Sequence, residues 1–154
     1  MFEDLTGTTW HSGIDVSASH VTVHRTKIHN MQVGIEASDS AIVDLDDFNT
    51  CFPIGPFSDV VIDNPSRGIN YNGVVIDTGS SLNVTSAKLR ILNAGQSYGG
   101  SSGGLLVSRG SSVVASSNLI ISGSLGQGIY ATGNSHVTLD GSSITGGQHG
   151  GSWL

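Results

Sequence analysis

"GIYATGNSHVTLDGSSITGG", residues 128–147, contains the pattern that decides the fold. A glycine is followed by an apolar, a polar and an apolar residue, then by small polar residues and a second alternating segment. The same pattern occurs in residues 73–89, "GVVIDTGSSLNVTSAKL", and in residues 104–120, "GLLVSRGSSVVASSNLI". Because strict alternation of apolar and polar residues has the period of a β-strand, each copy predicts short strands separated by turns.

Shorter copies of the pattern begin at Gly13 and Gly34, and a blurred copy lies within residues 52–62. In the copy that starts at Gly34, the apolar positions are Ile35, Ala37 and Ile42. Most copies start about 22 residues apart. Such short strands cannot bury their apolar faces alone, whereas copies that each form one coil can stack and bury them in continuous ladders.

We therefore predict an all-β fold, a single-stranded parallel β-helix of about six coils, over residues 13–147. Residues 1–12 are assigned to an N-terminal lead-in and residues 148–154 to a C-terminal tail. A right-handed sense is expected from the usual chirality of parallel crossovers. An antiparallel β-sandwich is the alternative, but its hairpins would not require the fixed spacing between the glycine and the apolar positions.

The alignment of the copies also predicts which side chains face the interior. One internal ladder comprises Ile14, Ile35, Val74, Leu105 and Ile129, and a second comprises Leu82, Val113 and Val137. The first coil starts about a dozen residues from Met1 without an amphipathic capping helix. Since open strand edges and exposed ladders invite pairing, we expect the ends to be covered by another chain or by further parts of a longer protein.

The repeated segments, together with "GIDVSASHVTVHRTKI" at residues 13–28 and "GIEASDSAIV" at residues 34–43, resemble the parallel β-helix repeat (pectin lyase-like) family. That family includes pectin lyases, polygalacturonases and phage tailspikes, and the resemblance covers most of residues 13–146. It implies the fold. It implies less about function, because the same repeats serve enzymes, adhesins and passive stalks.

Composition limits the partners of the chain. Charged residues make up 12% of it, with six Lys and Arg against twelve Asp and Glu, which gives a net charge of -6. This balance, without a basic cluster, argues against binding to nucleic acid or to an anionic membrane surface. No apolar run approaches the ~20 residues needed to span a bilayer. Abundant Ser, Thr and Gly with little Lys favours an extracellular or virion-surface location.

Acidic residues in the first two coils are the candidate catalytic groups. The alternation places Asp15 and Glu36 outward on adjacent coils, about 4.8 Å apart. Two carboxylates this close raise the pKa of one of them, and the spacing suits a retaining glycosidase. The segment "DLDDFNTC" adds Asp44, Asp46 and Asp47, one of which would act as base or nucleophile. A solvating role or calcium ligation by these three aspartates is the alternative to catalysis.

The resemblance implies two further comparisons with enzymes of this fold. Polygalacturonases carry an Asp-Asp-Cys-type run, but here three residues separate Asp47 from Cys51, and His149 would lie about five coils, roughly 24 Å, from Asp47. Polyuronate lyases use an Arg or Lys as base beside carboxylates that bind calcium. The resemblance therefore implies Arg25 or Lys27 as the candidate base. His20 and His24 are about 13 Å apart on one strand, too far for one metal ion, so no metal site is predicted beyond calcium.

Three outward residues indicate a partner surface. Val75, Leu106 and Tyr130 share one outward column on three coils, and a neighbouring outward column is predicted to comprise Val43, Val61 and Val114. Stacked apolar columns make a contiguous patch, which usually marks an interface. Closed cyclic symmetry would bury one such patch in each subunit, so a homo-oligomer, with a trimer favoured, is expected. Stacking of Tyr130 on a sugar ring of a polysaccharide is the alternative.

Three classes of function remain open. The first is a non-catalytic β-helix segment of a larger extracellular or phage tail protein, with an assembly or glycan-binding role. The second is a polysaccharide-cleaving enzyme, either a glycoside hydrolase or a polysaccharide lyase. The third is a self-assembling structural protein. The small number of coils and the shortage of long loops that could form a cleft favour the first class.

Overall fold

The computed structural model describes residues 2–3, 12–46, 59–63, 72–85, 87–95, 103–116, 118–145 and 152–153. Three parallel sheets, whose strands are numbered in chain order, form the walls. Sheet 1 contains β2 (Ser12–Ser17), β5 (Val33–Ser38), β8 (Asn72–Ile76), β11 (Gly103–Val107), β14 (Gln127–Ala131) and β17 (Ser152–Trp153). Sheet 2 contains β3 (His20–Val23), β6 (Ile42–Leu45), β9 (Ser81–Val84), β12 (Ser112–Ser116) and β15 (His136–Asp140). Sheet 3 contains β1 (Phe2–Glu3), β4 (Lys27–His29), β7 (Val60–Asp63), β10 (Leu89–Leu92), β13 (Leu119–Ser122) and β16 (Ser143–Thr145).

The chain visits the three sheets in the same order each time, which makes it a parallel β-helix. Coil one consists of β2, β3 and β4, and the same order repeats up to coil five, which consists of β14, β15 and β16. Each strand pairs in parallel with the equivalent strand of the neighbouring coil. Strands β1 and β17 extend sheets 3 and 1 beyond these coils. The described residues contain no helix that could cross a membrane.

The two predicted internal ladders are confirmed. Ile14 pairs with Ile35 in register, and the ladder continues through Val74 and Leu105 to Ile129. On sheet 2, Leu82, Val113 and Val137 pair in the same way. Six of these eight side chains are fully buried, whereas Ile14 and Val137 are partly buried, since they lie in the first and last coils and have a neighbouring coil on one side only.

The predicted outward position of Val43 is wrong. Val43 lies in the second internal ladder between Val21 and Leu82 and is fully buried, while Ile42, which was assigned to the interior, is 38% exposed. The cause is the length of a turn. Coil two has two consecutive residues of positive φ, Asp39 and Ser40, as do the later coils, whereas coil one has a turn that is one residue shorter. A shift of one residue moves every side chain of the strand to the opposite face.

The described residues form five complete coils, one fewer than the predicted six. The blurred copy is not a separate coil, because Val60 and Ile62 are the inward residues of β7, the third strand of coil two. Val61 therefore faces outward on sheet 3 and does not share a column with Val114 on sheet 2. Phe52 and Ile54, the other two members of that copy, lie outside the described residues.

The glycine that starts each copy has a packing role. Sheet 3 contains an inward ladder in which Ile28, Ile62, Ile91, Ile121 and Ile144 pair in register. In every coil the starting glycine lies against the isoleucine of the same coil, so closely that a Cβ atom on it would come within 2.6 Å of the isoleucine Cγ2. The conspicuous glycine of the repeat is thus required by the third strand of its own coil.

Candidate functional site

The outward face of sheet 1 carries one continuous column of candidate residues. Asp15 pairs in register with Glu36, Glu36 with Val75, Val75 with Leu106, and Leu106 with Tyr130. Asp15 is exposed, and the other four are half-buried. The column therefore begins with two acids in coils one and two and continues with three large nonpolar or aromatic residues. We call Val75, Leu106 and Tyr130 the apolar column.

The acids at the start of this column are the predicted neighbours. Asp15 and Glu36 occupy paired positions of β2 and β5. The Ser12 hydroxyl donates a hydrogen bond to Glu36 Oε2 over 2.6 Å, so one carboxylate oxygen of Glu36 already has a partner on coil one. What the pair offers chemically is two adjacent outward carboxyl groups, one exposed and one held by a serine.

Asp44 lies on a different wall from this pair. It is on sheet 2, where His20 Nε2 lies 2.6 Å from Asp44 Oδ2 and the Asn83 amide donates to Asp44 Oδ1 over 2.7 Å. The hydrogen bond from Asn83 lowers the pKa of Asp44, burial opposes it, and the hydrogen bond and charge of His20 add to the lowering. Because both carboxylate oxygens accept hydrogen bonds and the charged form is favoured, Asp44 is suited to holding coils together rather than to donating a proton.

The remaining acids of this group follow Asp44 along the chain. Asp46 comes directly after β6 and is half-buried, and its backbone carbonyl lies 2.9 Å from His24 Nδ1. Asp47 lies outside the described residues. Asp15 and Glu36 thus lie on sheet 1, while Asp44 lies on sheet 2 and Asp46 directly follows that sheet. In the described part of the chain, no group of three or more His, Cys, Asp or Glu is arranged to hold a metal ion.

Sequence reasoning missed the role of the histidines of coil one. His20 contacts Asp44, the His24 ring contacts the Asp46 carbonyl, and His29 Nδ1 lies 3.9 Å from Asp63 Oδ2. All three contacts join coil one to coil two. The usable signal was the coil length, because His20 and Asp44 are separated by 24 residues, close to the repeat.

A second cluster that the sequence did not reveal lies at the turn between sheets 1 and 2. Asp77 accepts hydrogen bonds from Ser108 Oγ and Arg109 Nε, both over 2.7 Å, and pairs with Arg109 Nη2 as well. Burial raises the pKa of Asp77, but the hydrogen bonds from Arg109, Ser108 and the Thr78 backbone outweigh it and leave the pKa lowered. Since Arg109 holds Asp77 from the next coil, the pair fastens coil four to coil three.

The other predicted residues are dispersed. Lys27 lies on the outer face of sheet 3, and Arg25 occupies the exposed turn before it, so both lie off the wall that carries Asp15 and Glu36. Val114 is 38% exposed on sheet 2, in register with Asn83 and Thr138. The neighbouring valine column predicted for the partner surface therefore does not exist, and only the apolar column remains of that surface.

No family model, no curated protein and no solved structure matches the chain.

Proposed function

We propose that this chain is a non-catalytic β-helix segment, of the pectin lyase-like kind, that belongs to a larger extracellular or virion-surface protein and serves its assembly. The observation that carries the proposal is the apolar column, in which Val75, Leu106 and Tyr130 follow one another in register on an outward face. Three coils of nonpolar or aromatic surface on one wall form a contiguous patch of the kind that marks interfaces.

The energetics support an assembly role. Each large side chain that becomes fully buried contributes roughly 1.5 to 3 kcal/mol. The residues of the apolar column already have most of their surface covered by their neighbours, so each adds at most about a third of that amount in one interface. A closed trimer contains three such interfaces, and the contributions add up across the ring.

The environment of the acids supports a non-catalytic role. Asp44 and Glu36 are engaged by His20, Asn83 and Ser12, and the pKa of Asp44 is lowered, which is the opposite of what a general acid requires. Asp15 and Glu36 are adjacent but lie beside the apolar column on a regular sheet face. The same column gives the segment its alternative binding role, in which Tyr130 stacks on a sugar ring.

A test of the assembly role measures mass by light scattering at micromolar concentration. The parent chain is expected to be a trimer. The variant Val75→Ser, Leu106→Ser, Tyr130→Ser is expected to be a monomer by light scattering, and circular dichroism should show that it is folded. The matched control is Ile42→Ser with Val114→Ser, which removes exposed apolar residues of sheet 2 and should keep the trimer. A monomeric parent, or a triple variant that keeps the parent mass, contradicts the proposal.

The second candidate function is polysaccharide cleavage, and the register pairing of Asp15 with Glu36 is the observation that favours it. Adjacent carboxylates are what a retaining glycosidase uses as acid and nucleophile. The test is release of reducing sugar from acidic polysaccharides. If the chain is such an enzyme, activity must be present in the parent and lost in both Asp15→Asn and Glu36→Gln, while Asp140→Asn on the last coil keeps it.

A further inference from the structure

Sheet 3 carries a second outward column, whose chemistry complements that of sheet 1. It comprises Lys27, Val61, Arg90, Ile120 and Ser143, which pair in register from coil one to coil five. Lys27 and Arg90 are exposed, and Val61 and Ile120 are half-buried. The column therefore contains two cations and two aliphatic residues. The nearest acids have partners of their own, since Asp59 pairs with Arg90 and Asp63 accepts a hydrogen bond from Asn93, so Lys27 is the cation that the column offers to a neighbour. Sheet 1, in contrast, presents two acids and no cation in its outward column.

We propose that neighbouring copies of this chain associate side by side with sheet 1 of one copy against sheet 3 of the next, all pointing in the same direction. The inference deepens the assembly role proposed above and rests on it. In this arrangement a second copy of the chain covers the apolar column. A second copy is favoured because the charges of the two walls are complementary. Packing sheet 1 on sheet 1 in parallel would instead bring Asp15 and Glu36 of both copies together, which is repulsive.

The levels of the coils agree with this arrangement. Asp15 and Lys27 both lie in coil one, and Leu106 and Ile120 both lie in coil four. Two parallel copies without axial shift therefore place an acid opposite a cation and a leucine opposite an isoleucine. Glu36 lies one coil, about 4.8 Å, from the level of Lys27, which is within reach of a lysine side chain.

The middle of the interface needs a different contact. At coil three, Val75 would face Arg90, whose guanidinium lies 3.6 Å from Asp59 in the same copy. With its charge balanced by Asp59, the aliphatic part of Arg90 can pack on Val75. No buried charge then remains unpaired at this level.

The geometry also selects the size of the assembly. An interface between two different walls is heterologous, so it cannot close a twofold dimer, and each copy would still offer one free wall. With no axial shift between neighbours, the smallest closed assembly is a ring of three. Sheet 2 would then face solvent. Its outward residues Thr22, Asp44, Asn83 and Thr138 are polar, and its exposed apolar residues are Val114 and Ile42.

Disulfide trapping tests which walls meet. In a Cys51→Ser background, Leu106→Cys and Ile120→Cys are made separately and together. Only the double variant should form covalent trimers on oxidation, at least tenfold more than either single variant. A Leu106→Cys single variant that links efficiently to itself shows sheet 1 against sheet 1 and overturns the inference, and so does a double variant that does not link although the parent is a trimer. A monomeric parent instead overturns the assembly role itself.

A charge exchange tests the same interface without cysteines. Lys27→Glu and Asp15→Lys should each weaken trimer formation by about fivefold at low salt, and the two together should recover most of the loss. Because the effect is electrostatic, it should decrease as salt is added. If trimer formation in the double variant is weakened by the combined losses of the two single variants, Asp15 and Lys27 do not meet and the inference fails.

Discussion

Gly104 lies against Ile121 so closely that a Cβ atom on the glycine would come within 2.5 Å of Ile121 Cγ2 and 2.7 Å of the Gly128 carbonyl oxygen. The second contact is with backbone, which cannot rotate away. Gly104→Ala should therefore destabilise the fold by about 1 to 3 kcal/mol through overpacking, as measured by urea unfolding.

The control for this change is Gly110→Asn in the same coil. Gly110 has a φ of 76° and open space around it, and Asn tolerates this left-handed conformation. The control should stay within about 1 kcal/mol of the parent. Equal losses in the two variants would contradict the packing role of Gly104.

Ile42 and Val43 are neighbours with opposite environments, and substitution should separate them. Val43→Ala removes two methyl groups from a fully buried ladder and should cost about 2 kcal/mol. Ile42→Ala removes more atoms from a residue that is 38% exposed and should cost less than about 1 kcal/mol. Thermal unfolding of both variants checks the register. A larger loss of stability for Ile42→Ala than for Val43→Ala would mean that the register of this strand is shifted by one residue.

The hydrogen bonds to Asp44 predict a pH dependence of stability. Because the pKa of Asp44 is lowered in the folded state, its contribution is present above the pKa that it has when unfolded, and it is lost as pH falls through the folded value. The contribution is at most about 1 kcal/mol, since the side chain is 33% exposed. Asp44→Asn should therefore be less stable than the parent at about pH 6, and the difference should disappear once the pH lies well below the ordinary pKa of an Asp carboxyl group, as measured by urea unfolding. A difference that does not change with pH would exclude ionisation as its cause.

Arg109 and Asp77 predict a second titration effect. Arg109→Ala removes two hydrogen bonds that favour the carboxylate of Asp77, so the pKa of Asp77 should rise toward or above its ordinary value, since burial still acts on it. An NMR titration of the Asp77 carboxyl group measures the shift. Arg90→Ala is the matched control, because Arg90 contacts Asp59 and should leave the Asp77 titration unchanged.

Much of the fold could be predicted from the sequence, and the errors have two causes. Gly73, Gly104 and Gly128 set the phase of three copies, and every inward residue assigned from them on sheets 1 and 2 is correct. The phase fails where a turn changes length, as at Asp39 and Ser40, and a strand is assigned to the wrong sheet where a long insertion precedes it, as before Val60. A pattern with a period of two carries no record of a shift by one residue.

Less of the candidate site could be predicted. The apolar column and the pairing of Asp15 with Glu36 follow from alternation within one strand and from equal positions in successive coils. The contact of His20 with Asp44 could not be predicted in this way. It depends on the register between the second strands of coils one and two, and the turns before these two strands differ in length.

The sequence by itself determined that this chain is a parallel β-helix and which residues form most of its core, because both depend on local periodicity and on repetition. The tertiary structure alone decided that the starting glycines serve the isoleucines of the third strand, that Val43 is inside, and that Lys27, Val61, Arg90 and Ile120 form one outward column. These relationships join residues from different strands of a coil or from coils whose turns differ in length. Their distances are set only when all three walls close around the same core, and no local pattern records that closure.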